Sequence, residues 1–576
     1  MAQFGYRANL SSKSFPFISA NWGQTVIVPQ YDNAFNPNLV SDTDEDRDVG
    51  IPQAFYMHNV FPTAQGFQSV GYTQVLDPVG GVSNFILCEL IRDASGSKAY
   101  IGITASGQFY INEGLGWIYK LTVPVAAISI AFVSGITYIY VANHGCYRYD
   151  FASDVFVSVT LTGLEPTVVG GIVGAVGYLI AWQSLIPEVT LSFTTTLGSD
   201  VLTGASTTGI VINQVVSGSG IPTGSTVVLI NPGVSITISQ VATASATVNL
   251  TFEAMPAAVA WSSVIDPTDF TPSLITGAGG GAIEGARGVI VFCAAHTLGF
   301  IAYTTHNAVS AVYSNNARYP FSFREILSSG GLISSDLIAY DANTGNHYAY
   351  TTSGFQLVST ASCQTIFPAV TDFISGRLFE DYDETTKSFS RTVLSNSLKK
   401  KLTVISDRYL VISYGITSYT HALVYDISQK RWGKFKVNHA SVFEYELISP
   451  IITEIPRQSI AFLQSNGTVL IVDFSPYLSS SSGVIALGKY QLVRSRNLIL
   501  DEIFIENIYD KQTFDLTILS SFDGKSTFQV NPIVIDQSDE IIHYGVGQEA
   551  RNHSLICKGN FHLTSLSMRF HLGGKR

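Results

Sequence analysis

The sequence predicts an all-β protein, in which a β-propeller-like core carries an inserted small β-sandwich and is followed by a C-terminal β-sandwich. Windows that place apolar residues at helical spacing across ten or more positions are almost absent from the 576 residues. Short runs of β-branched and aromatic residues occur throughout instead, bounded by Gly, Asn, Asp and Ser, as at residues 137–141 and 409–413. These runs predict many short antiparallel strands.

A loose repeat points to propeller blades. A turn with glycine is followed by a strand with an aromatic or β-branched residue at 106–110, 144–150, 353–357 and 466–470, and a related strand occurs at 422–426. Propeller blades repeat such four-stranded units around an axis. Because the spacing is irregular, a generic antiparallel sandwich stays open as an alternative.

Shifts in composition predict the domain boundaries. Residues 1–55 are rich in Pro, Asn and Asp and predict an extended arm, and residues 56–187 and 253–487 predict the propeller-like core. Residues 188–252 are dominated by Thr, Ser, Val and Gly and predict an inserted β-sandwich, whereas the cleaner alternation over 488–576 predicts the C-terminal sandwich.

Two glycine-containing stretches need separate interpretation. Residues 168–186 are uncharged and long enough to cross a bilayer, but their four glycines and the following Pro187 favour two short strands joined by a glycine turn. We therefore expect no integral membrane span. Residues 277–288 match no phosphate-binding pattern and predict a loop.

The composition favours a protein that assembles with other subunits. Only 13% of the residues are charged and 46% are hydrophobic, which suits surface buried between subunits. The net charge of -11 argues against a general grip on nucleic acid phosphates. The five cysteines occur singly, so they predict neither a zinc site nor a disulfide framework. No secretory signal is recognised, so we expect synthesis in a cytoplasm.

No catalytic constellation is recognised in the sequence. The GxSxG and HExxH patterns are missing, and the acidic run at 42–48 lacks the glycine of a calcium loop. The carboxylates Glu380, Asp381, Asp383 and Glu384 lie too close along the chain for a convincing glycosidase pair. The sequence thus predicts no enzyme, no cofactor and no metal.

Charge placement marks one candidate contact surface. Between residues 387 and 436 there are ten basic residues but only two acidic ones, Asp407 and Asp426. This band predicts contact with DNA or an acidic partner, and an ordinary solvated surface is the alternative. The candidate contact residues are Lys399, Lys400, Lys401, Lys430 and Arg431.

Several strings, including residues 300–306, 320–326, 330–335 and 348–355, together resemble one family of proteins and follow its order along the chain. Residues 59–72 are similar to an early N-x-x-P-T-x-x-G segment, residues 261–272 to a W-S-x-x-x-D-P-T-D-F-x-P string, and residues 424–435 to a blade ending with a Y-D pair and W-x-x-F. Together they resemble the propeller-type nozzle, tail-hub or tail tubular B-like proteins of podoviruses and related prophages. The resemblance covers residues 55–480 apart from the insertion, which itself looks like an accessory β domain of phage virion proteins.

The resemblance implies a structural virion protein of a short tail, assembled in the host cytoplasm. It implies a homohexamer below an adaptor ring, with tail fibres as further partners and a lumen through which genomic DNA passes without specific binding. The basic band would then lie at a subunit or adaptor contact. Two alternatives stay open: a receptor-binding or polysaccharide-depolymerase protein of the tail, and a soluble bacterial propeller that acts as a binding module.

Overall fold

A computed structural model describes most of residues 54–572. The residues outside the description are 1–53, 63–66, 77–81, 83, 115, 125, 165–168, 184–186, 256, 317–319, 368–369, 372–378, 384–387, 393–398, 429–430, 447–458, 474–482, 491–497, 508–512, 522–527, 530–532, 537–540, 551 and 573–576. Nearly all of the predicted N-terminal arm and the acidic run at 42–48 therefore lie outside the described residues.

The described part of the chain forms a seven-bladed propeller of antiparallel four-stranded blades. The first four blades follow in chain order. Blade 1 contains β5 (Phe85–Arg92), β6 (Lys98–Thr104), β7 (Gln108–Asn112) and β8 (Ile118–Thr122). Blade 2 contains β9 (Ile128–Val133), β10 (Ile136–Val141), β11 (Gly145–Asp150) and β12 (Val155–Val159). Blade 3 contains β13 (Val169–Ala175), β14 (Tyr178–Gln183), β21 (Ala258–Trp261) and β22 (Gly279–Ala282). Blade 4 contains β23 (Ile290–His296), β24 (Gly299–Thr304), β25 (Ala308–Tyr313) and β26 (Phe321–Ile326).

The last three blades complete the circle. A 3₁₀ helix (Ser335–Leu337) precedes blade 5, which contains β27 (Ile338–Asp341), β28 (Asn346–Thr351), β29 (Gly354–Val358) and β30 (Cys363–Thr365). A hairpin of β31 (Phe379–Asp383) and β32 (Ser388–Thr392) follows. Blade 6 contains β33 (Lys399–Ile405), β34 (Tyr409–Gly415), β35 (Tyr419–Asp426) and β36 (Arg431–His439). Blade 7 contains β37 (Ser441–Tyr445), β38 (Ser459–Leu463) and β39 (Val469–Asp473).

Blade 7 takes its fourth strand from the other end of the chain. Strand β4 (Gly71–Leu76) pairs antiparallel with β39, so Asp473 lies opposite Gly71. The first strand of blade 7 also contacts the first strand of blade 1. Strand β4 therefore closes the propeller. In each of the other six blades, the four strands follow one another in chain order.

Apolar cores lie between successive blades all the way around. One cluster contains Ile101 of blade 1 and Ile139 of blade 2, and another contains Tyr140 of blade 2 and Leu179 of blade 3. Similar clusters lie at each boundary from blade 3 to blade 7. At the last boundary, Tyr100 of blade 1 packs against Phe443 of blade 7, with ring centroids 5.2 Å apart. Burial of aliphatic and aromatic faces is the main source of stability in such a fold.

Polar contacts hold the blades together where the first strand of each blade ends. The amide of Ala342 in blade 5 donates to Oδ1 of Asp407 in blade 6 at 3.0 Å, and the amide of Ser406 donates to Oε2 of Glu444 in blade 7 at 3.2 Å. Glu446 then accepts from Arg92 of blade 1 at 3.1 Å. These bonds cross three successive blade boundaries.

The repeat seen in the sequence marks the turn between the second and third strands. Its glycine occupies this turn in blades 1, 2, 5 and 7, with positive φ at Gly107, Gly145, Gly354 and Gly467 (77°, 118°, 92° and 89°). Only glycine adopts this backbone conformation readily, which explains why the motif recurs at this turn. The propeller-like, all-β fold class predicted from the sequence is confirmed.

The insertion lies between the second and third strands of blade 3. It contains β15 (Val189–Thr195), β16 (Val201–Thr203), β17 (Val216–Ser217), β18 (Val227–Asn231), β19 (Ser235–Ile238) and β20 (Ala246–Phe252) in a single sheet. A bridge between Val215 and Thr226 links the two ends of this sheet, which curls around its own core with Phe193 and Phe252 at the centre.

Two sheets form the C-terminal unit. Its strands are β40 (Gly483–Tyr490), β41 (Leu498–Asn507), β42 (Thr513–Ser521), β43 (Phe528–Gln529), β44 (Ile533–Asp536), β45 (Ile541–Ala550), β46 (Asn552–Gly559) and β47 (His562–Leu572). Strand β1 (Ala54–His58) pairs with β40 in one sheet. In the other sheet, β2 (Val60–Pro62) pairs with β36 of blade 6, and β3 (Phe67–Ser69) pairs with β47. A nine-stranded sheet thus runs from blade 6 into this unit.

The two glycine-containing stretches have different outcomes. Residues 168–186 contain strands β13 and β14 joined at Gly177, as predicted, and the described residues include no helix able to span a membrane. Residues 277–288 were expected to form a loop, but β22 forms within them. Its glycines allow close packing, since a Cβ on Gly280 would lie 2.9 Å from the carbonyl oxygen of Val259.

Candidate functional site at the centre of the propeller

The structure places three of the predicted contact residues beside the propeller axis. Lys399, Lys400 and Lys401 begin β33, which contacts the first strands of blades 5 and 7 and is therefore the innermost strand of blade 6. Lys399 is exposed, whereas Lys400 and Lys401 are half-buried. This part of the basic band lies at the centre of the fold, not on an outer blade edge.

Neighbouring lysines on β33 face different blades. The amine of Lys400 lies 5.2 Å from the ring centroid of Tyr350 in blade 5, a distance at which a cation is attracted by the aromatic face. Burial lowers the pKa of Lys400. Lys401 lies one residue further along the strand and faces the boundary with blade 7, next to its register partner Ser413.

A carboxylate on blade 1 completes this charged centre. Glu89 projects from β5, the innermost strand of blade 1, and its side chain is exposed to water. Protein surrounding the carboxyl group raises its pKa by desolvation, and the positive charge of Lys401 lowers the pKa by a smaller amount. Glu89 and Lys401 thus interact electrostatically between the innermost strands of two blades.

Sequence reasoning did not single out Glu89. A signal for it was present, because this glutamate is the one acidic residue in the strand Phe-Ile-Leu-Cys-Glu-Leu-Ile-Arg. A carboxylate in the middle of an apolar strand has to reach water or a partner. Because β5 is the innermost strand of blade 1, Glu89 can reach solvent at the propeller axis.

Of the two remaining predicted contact residues, Arg431 is not brought to this centre. Lys430 lies outside the described residues. Arg431 begins β36, which is separated from β33 by strands β34 and β35, or about 14 Å at the usual strand spacing. The structure therefore separates the predicted basic band into an axial part and an outer part.

Another member of the band has a structural role. Both Nε and Nη2 of Arg408 donate to Oδ2 of Asp426, at 3.2 and 3.0 Å. Asp426 is completely buried and also accepts from the amide and hydroxyl of Ser428. A buried carboxyl group is costly without hydrogen-bond partners, so these bonds stabilise blade 6.

Two histidines that look scattered in the sequence meet between blades 4 and 5. The rings of His296 and His347 are 5.9 Å apart. His347 is fully buried; its Nε2 donates to the carbonyl oxygen of Ala295 at 2.7 Å, and its Nδ1 accepts from the hydroxyl of Tyr303 at 2.9 Å. Both nitrogens are used, and the described residues contain no group of three potential metal ligands.

Comparisons with known proteins give matches among solved structures alone. No family model matches the chain, and no curated protein matches it. BamB from Moraxella catarrhalis is matched over 74% of this chain and 100% of its own, with 8% identity and a TM-score of 0.26. A second match is an exo-beta-1,3-galactanase from Phanerochaete chrysosporium, with 9% identity over 86% of this chain and 84% of its own and a TM-score of 0.18. A third is a family 43 arabinoxylan arabinofuranohydrolase from Bacillus subtilis, with 12% identity over 96% of this chain and 99% of its own and a TM-score of 0.20.

These matches correct one prediction. We expected from the sequence that the protein is not an enzyme, but the matched structures include glycoside hydrolases, and that expectation is withdrawn. At these TM-scores, no substrate or activity is transferred to this chain. The fold assignment depends on the blades and their closure described above.

Proposed function

We propose that this protein is a subunit of the distal nozzle of a short phage tail, where copies pack around a passage for the genome and hold other tail components. The proposal extends the resemblance of three sequence strings to podovirus nozzle proteins. One observation supports it most directly: these three strings lie at the positions that hold the parts of the molecule together.

The first string, residues 59–72, supplies β2, β3 and the start of β4. It therefore connects blade 6, the C-terminal unit and blade 7. The second string, residues 261–272, forms the loop that anchors blade 3 to blade 2, with the amide of Phe270 donating to the carbonyl oxygen of Thr162 at 2.8 Å. The third string packs Tyr425 against Trp432 in blade 6, with ring centroids 4.8 Å apart.

The test is the mass of the purified protein in solution, with and without its neighbouring tail proteins, followed by electron microscopy of the particles. We expect a closed ring of six copies with a central opening wide enough for duplex DNA. A stable monomer or trimer in both conditions would refute the nozzle proposal.

A second candidate function is a tail protein that cleaves a surface polysaccharide. The charged centre favours it, because Glu89 is accessible to water and its pKa is raised. A carboxyl group with a raised pKa is the kind of general acid that glycoside hydrolysis requires. Lys401, on the facing strand, would position an anionic sugar.

This second function is tested with capsular polysaccharide from the host and a turnover assay for new reducing ends. A polysaccharide-cleaving protein would lose at least 100-fold in rate on Glu89→Gln, in line with the usual contribution of a general acid. The matched control is Glu253→Gln, which changes an exposed glutamate beside the insertion. Equal rates for Glu89→Gln and wild type would exclude Glu89 as the acid.

A further inference from the structure

Polar side chains on the innermost strands of blades 6, 7 and 1 form a cluster on one side of the propeller axis. Lys401 is half-buried on β33, and Ser441 begins β37 with only 1% of its surface exposed. Glu89 lies on β5 and is exposed to water. Strand β37 contacts both β33 and β5, so the three side chains come from neighbouring strands around the axis.

The hydroxyl group of Ser441 has no hydrogen-bond partner among the described residues. Side chains alternate along β37: Val442 belongs to the core shared with blade 6, whereas Phe443 packs against Tyr100 of blade 1. Ser441 therefore projects, like Phe443, towards blade 1, where Glu89 lies. A buried hydroxyl group without a partner is costly, so a ligand that accepts a hydrogen bond from it would stabilise the site.

The amine of Lys401 reaches the same place from blade 6. Burial raises the pKa of Cys88 and that of Glu89, and in both cases the positive charge of Lys401 opposes the shift. Lys401 nevertheless forms no salt bridge with a carboxylate of the described residues. The amine and the Glu89 carboxyl group are thus close enough to interact but separated, which leaves room for a ligand between them.

The other polar side chains next to Lys401 on blade 6 are already paired. The hydroxyl of Ser413, its register partner, donates to Nε2 of His439 at 2.8 Å, and Nδ1 of His439 donates to the carbonyl oxygen of Val437 at 2.8 Å. Burial lowers the pKa of His439 to about 4, so this ring is neutral at pH 7. The amine of Lys401 and the hydroxyl of Ser441 are therefore the strong donors that this cluster offers to a ligand.

The charges around the cluster select the kind of ligand. Lys399, Lys400 and Lys401 place three positive charges beside the axis of a protein whose net charge is -11. An ammonium group and a hydroxyl group both donate hydrogen bonds to an oxyanion. The nearby Glu89 would repel a second negative charge, which favours a carboxylate over a phosphate dianion. Glu89 can also accept hydrogen bonds from hydroxyl groups of the same ligand.

We propose that this cluster binds an acidic sugar, with the sugar carboxylate held by Lys401 and Ser441 and the sugar hydroxyl groups facing Glu89. A ligand can enter from the water that reaches Glu89. This ligand class deepens the second candidate function and rests on it for the position of the site. Binding is measured without cleavage, so the two can fail separately.

The experiment is calorimetric titration of the full chain with sodium glucuronate as the probe. Glucose, which lacks the carboxylate, and inorganic phosphate are the comparison ligands. The wild type should bind glucuronate at least about 10-fold more tightly than either, the size expected for one hydrogen bond to a charged group. Lys401→Met and Ser441→Ala should each weaken glucuronate binding by about 10-fold. Ser441→Ala should keep the wild-type melting temperature, because it removes a hydroxyl group without a partner.

The matched control is Thr276→Val, which removes another buried hydroxyl group without a partner among the described residues. It lies in the loop between β21 and β22 of blade 3, and glucuronate should bind this variant as it binds the wild type. A measurement on the wild type covers the case in which a variant misfolds. A water-soluble carbodiimide should couple bound glucuronate to Lys401 in preference to Lys98, whose side chain is 35% exposed, as read by peptide mass spectrometry.

Three results would overturn the inference: no binding of glucuronate, binding no tighter than that of glucose or phosphate, or unchanged affinity in Lys401→Met or Ser441→Ala. Coupling of glucuronate to Lys98 as readily as to Lys401 would overturn it too. Binding of glucuronate without release of new reducing ends from polysaccharide would leave the site intact and count against the second candidate function. Cleavage by a protein that does not bind glucuronate would refute the acidic-sugar site alone.

Discussion

His347 is the residue whose environment gives the clearest pH prediction. Burial between blades 4 and 5 lowers its pKa from 6.5 to about 3, because the imidazolium form would be desolvated. Below pH 6.5 the unfolded chain binds a proton that the native protein does not. The free energy of unfolding therefore falls as the pH drops from about 6.5 towards 3, by up to about 1.4 kcal/mol per pH unit for this residue.

We expect His347→Gln to reduce this fall of the unfolding free energy at low pH. Urea unfolding measured between pH 4 and 6 should show a shallower decrease of the unfolding free energy in the variant than in the wild type, whatever its stability at pH 7. His144→Gln, at an exposed turn of blade 2, should keep the wild-type slope. Equal slopes for His347→Gln and wild type would mean that His347 takes up its proton in the native state.

At the residue level, the sequence could identify residue types but not their neighbours. Lys399, Lys400 and Lys401 were recognised as a basic run, yet their position beside the axis depends on which blade strand is innermost. His296 and His347 lie 51 positions apart, and packing of two blades brings them together. Glu89 was missed because a lone carboxylate in an apolar strand indicates a site only once that strand is known to be the innermost of its blade.

Among the elements, the insertion is the one whose independence is easiest to test. Its core cluster contains residues of the insertion alone, and the two chain ends that lead to it are close, since Gln183 and Ala258 are register partners on adjacent strands. Replacing residues 189–252 by a short Gly-Ser linker should therefore leave the propeller folded. We expect the far-ultraviolet spectrum to remain β-like and the melting temperature to change by only a few degrees.

The complementary fragment provides the control. Residues 187–254 expressed alone should unfold cooperatively, because the fragment keeps Phe193, Phe252 and the rest of its core. If the deleted chain aggregates while the fragment folds, then blade 3 needs its contacts with the insertion, which include the packing of Val211 against Ala258 and the bond of Asn213 to the carbonyl oxygen of Gly280.

Strands and turns were predictable where local chemistry decides them. The glycines at positions 107, 145, 354 and 467 fix equivalent turns in four blades and are visible in the sequence as a repeat. Strand β22 was not predictable, because its glycines form a strand in response to the packing of blade 3. The pairing of β4 with β39 joins residues about 400 positions apart, and no local pattern in the sequence predicts it.

For the whole molecule, closure of the propeller gives the strongest prediction. Removal of residues 1–76 deletes β1 to β4, and the loss of β4 exposes the core of blade 7, where Val70 and Tyr72 pack with Phe462. We expect this truncated chain to bind a hydrophobic dye and to unfold at a much lower urea concentration than the full chain. The matched control is removal of residues 1–53, which keeps strands β1 to β4 and should retain nearly wild-type unfolding. Equal midpoints for the two truncated chains would show that blade 7 is stable without its fourth strand.

The nine-stranded sheet has a mechanical consequence. Because β36 of blade 6 pairs with β2, and β3 pairs with β47, a pull on the C-terminal unit is transmitted into the propeller through a ladder of hydrogen bonds. A flexible tether would stretch first and leave the propeller unloaded. The shared sheet instead distributes the force over several hydrogen bonds at once. The propeller and the C-terminal unit should therefore move together, and unfold together, when force acts on either one.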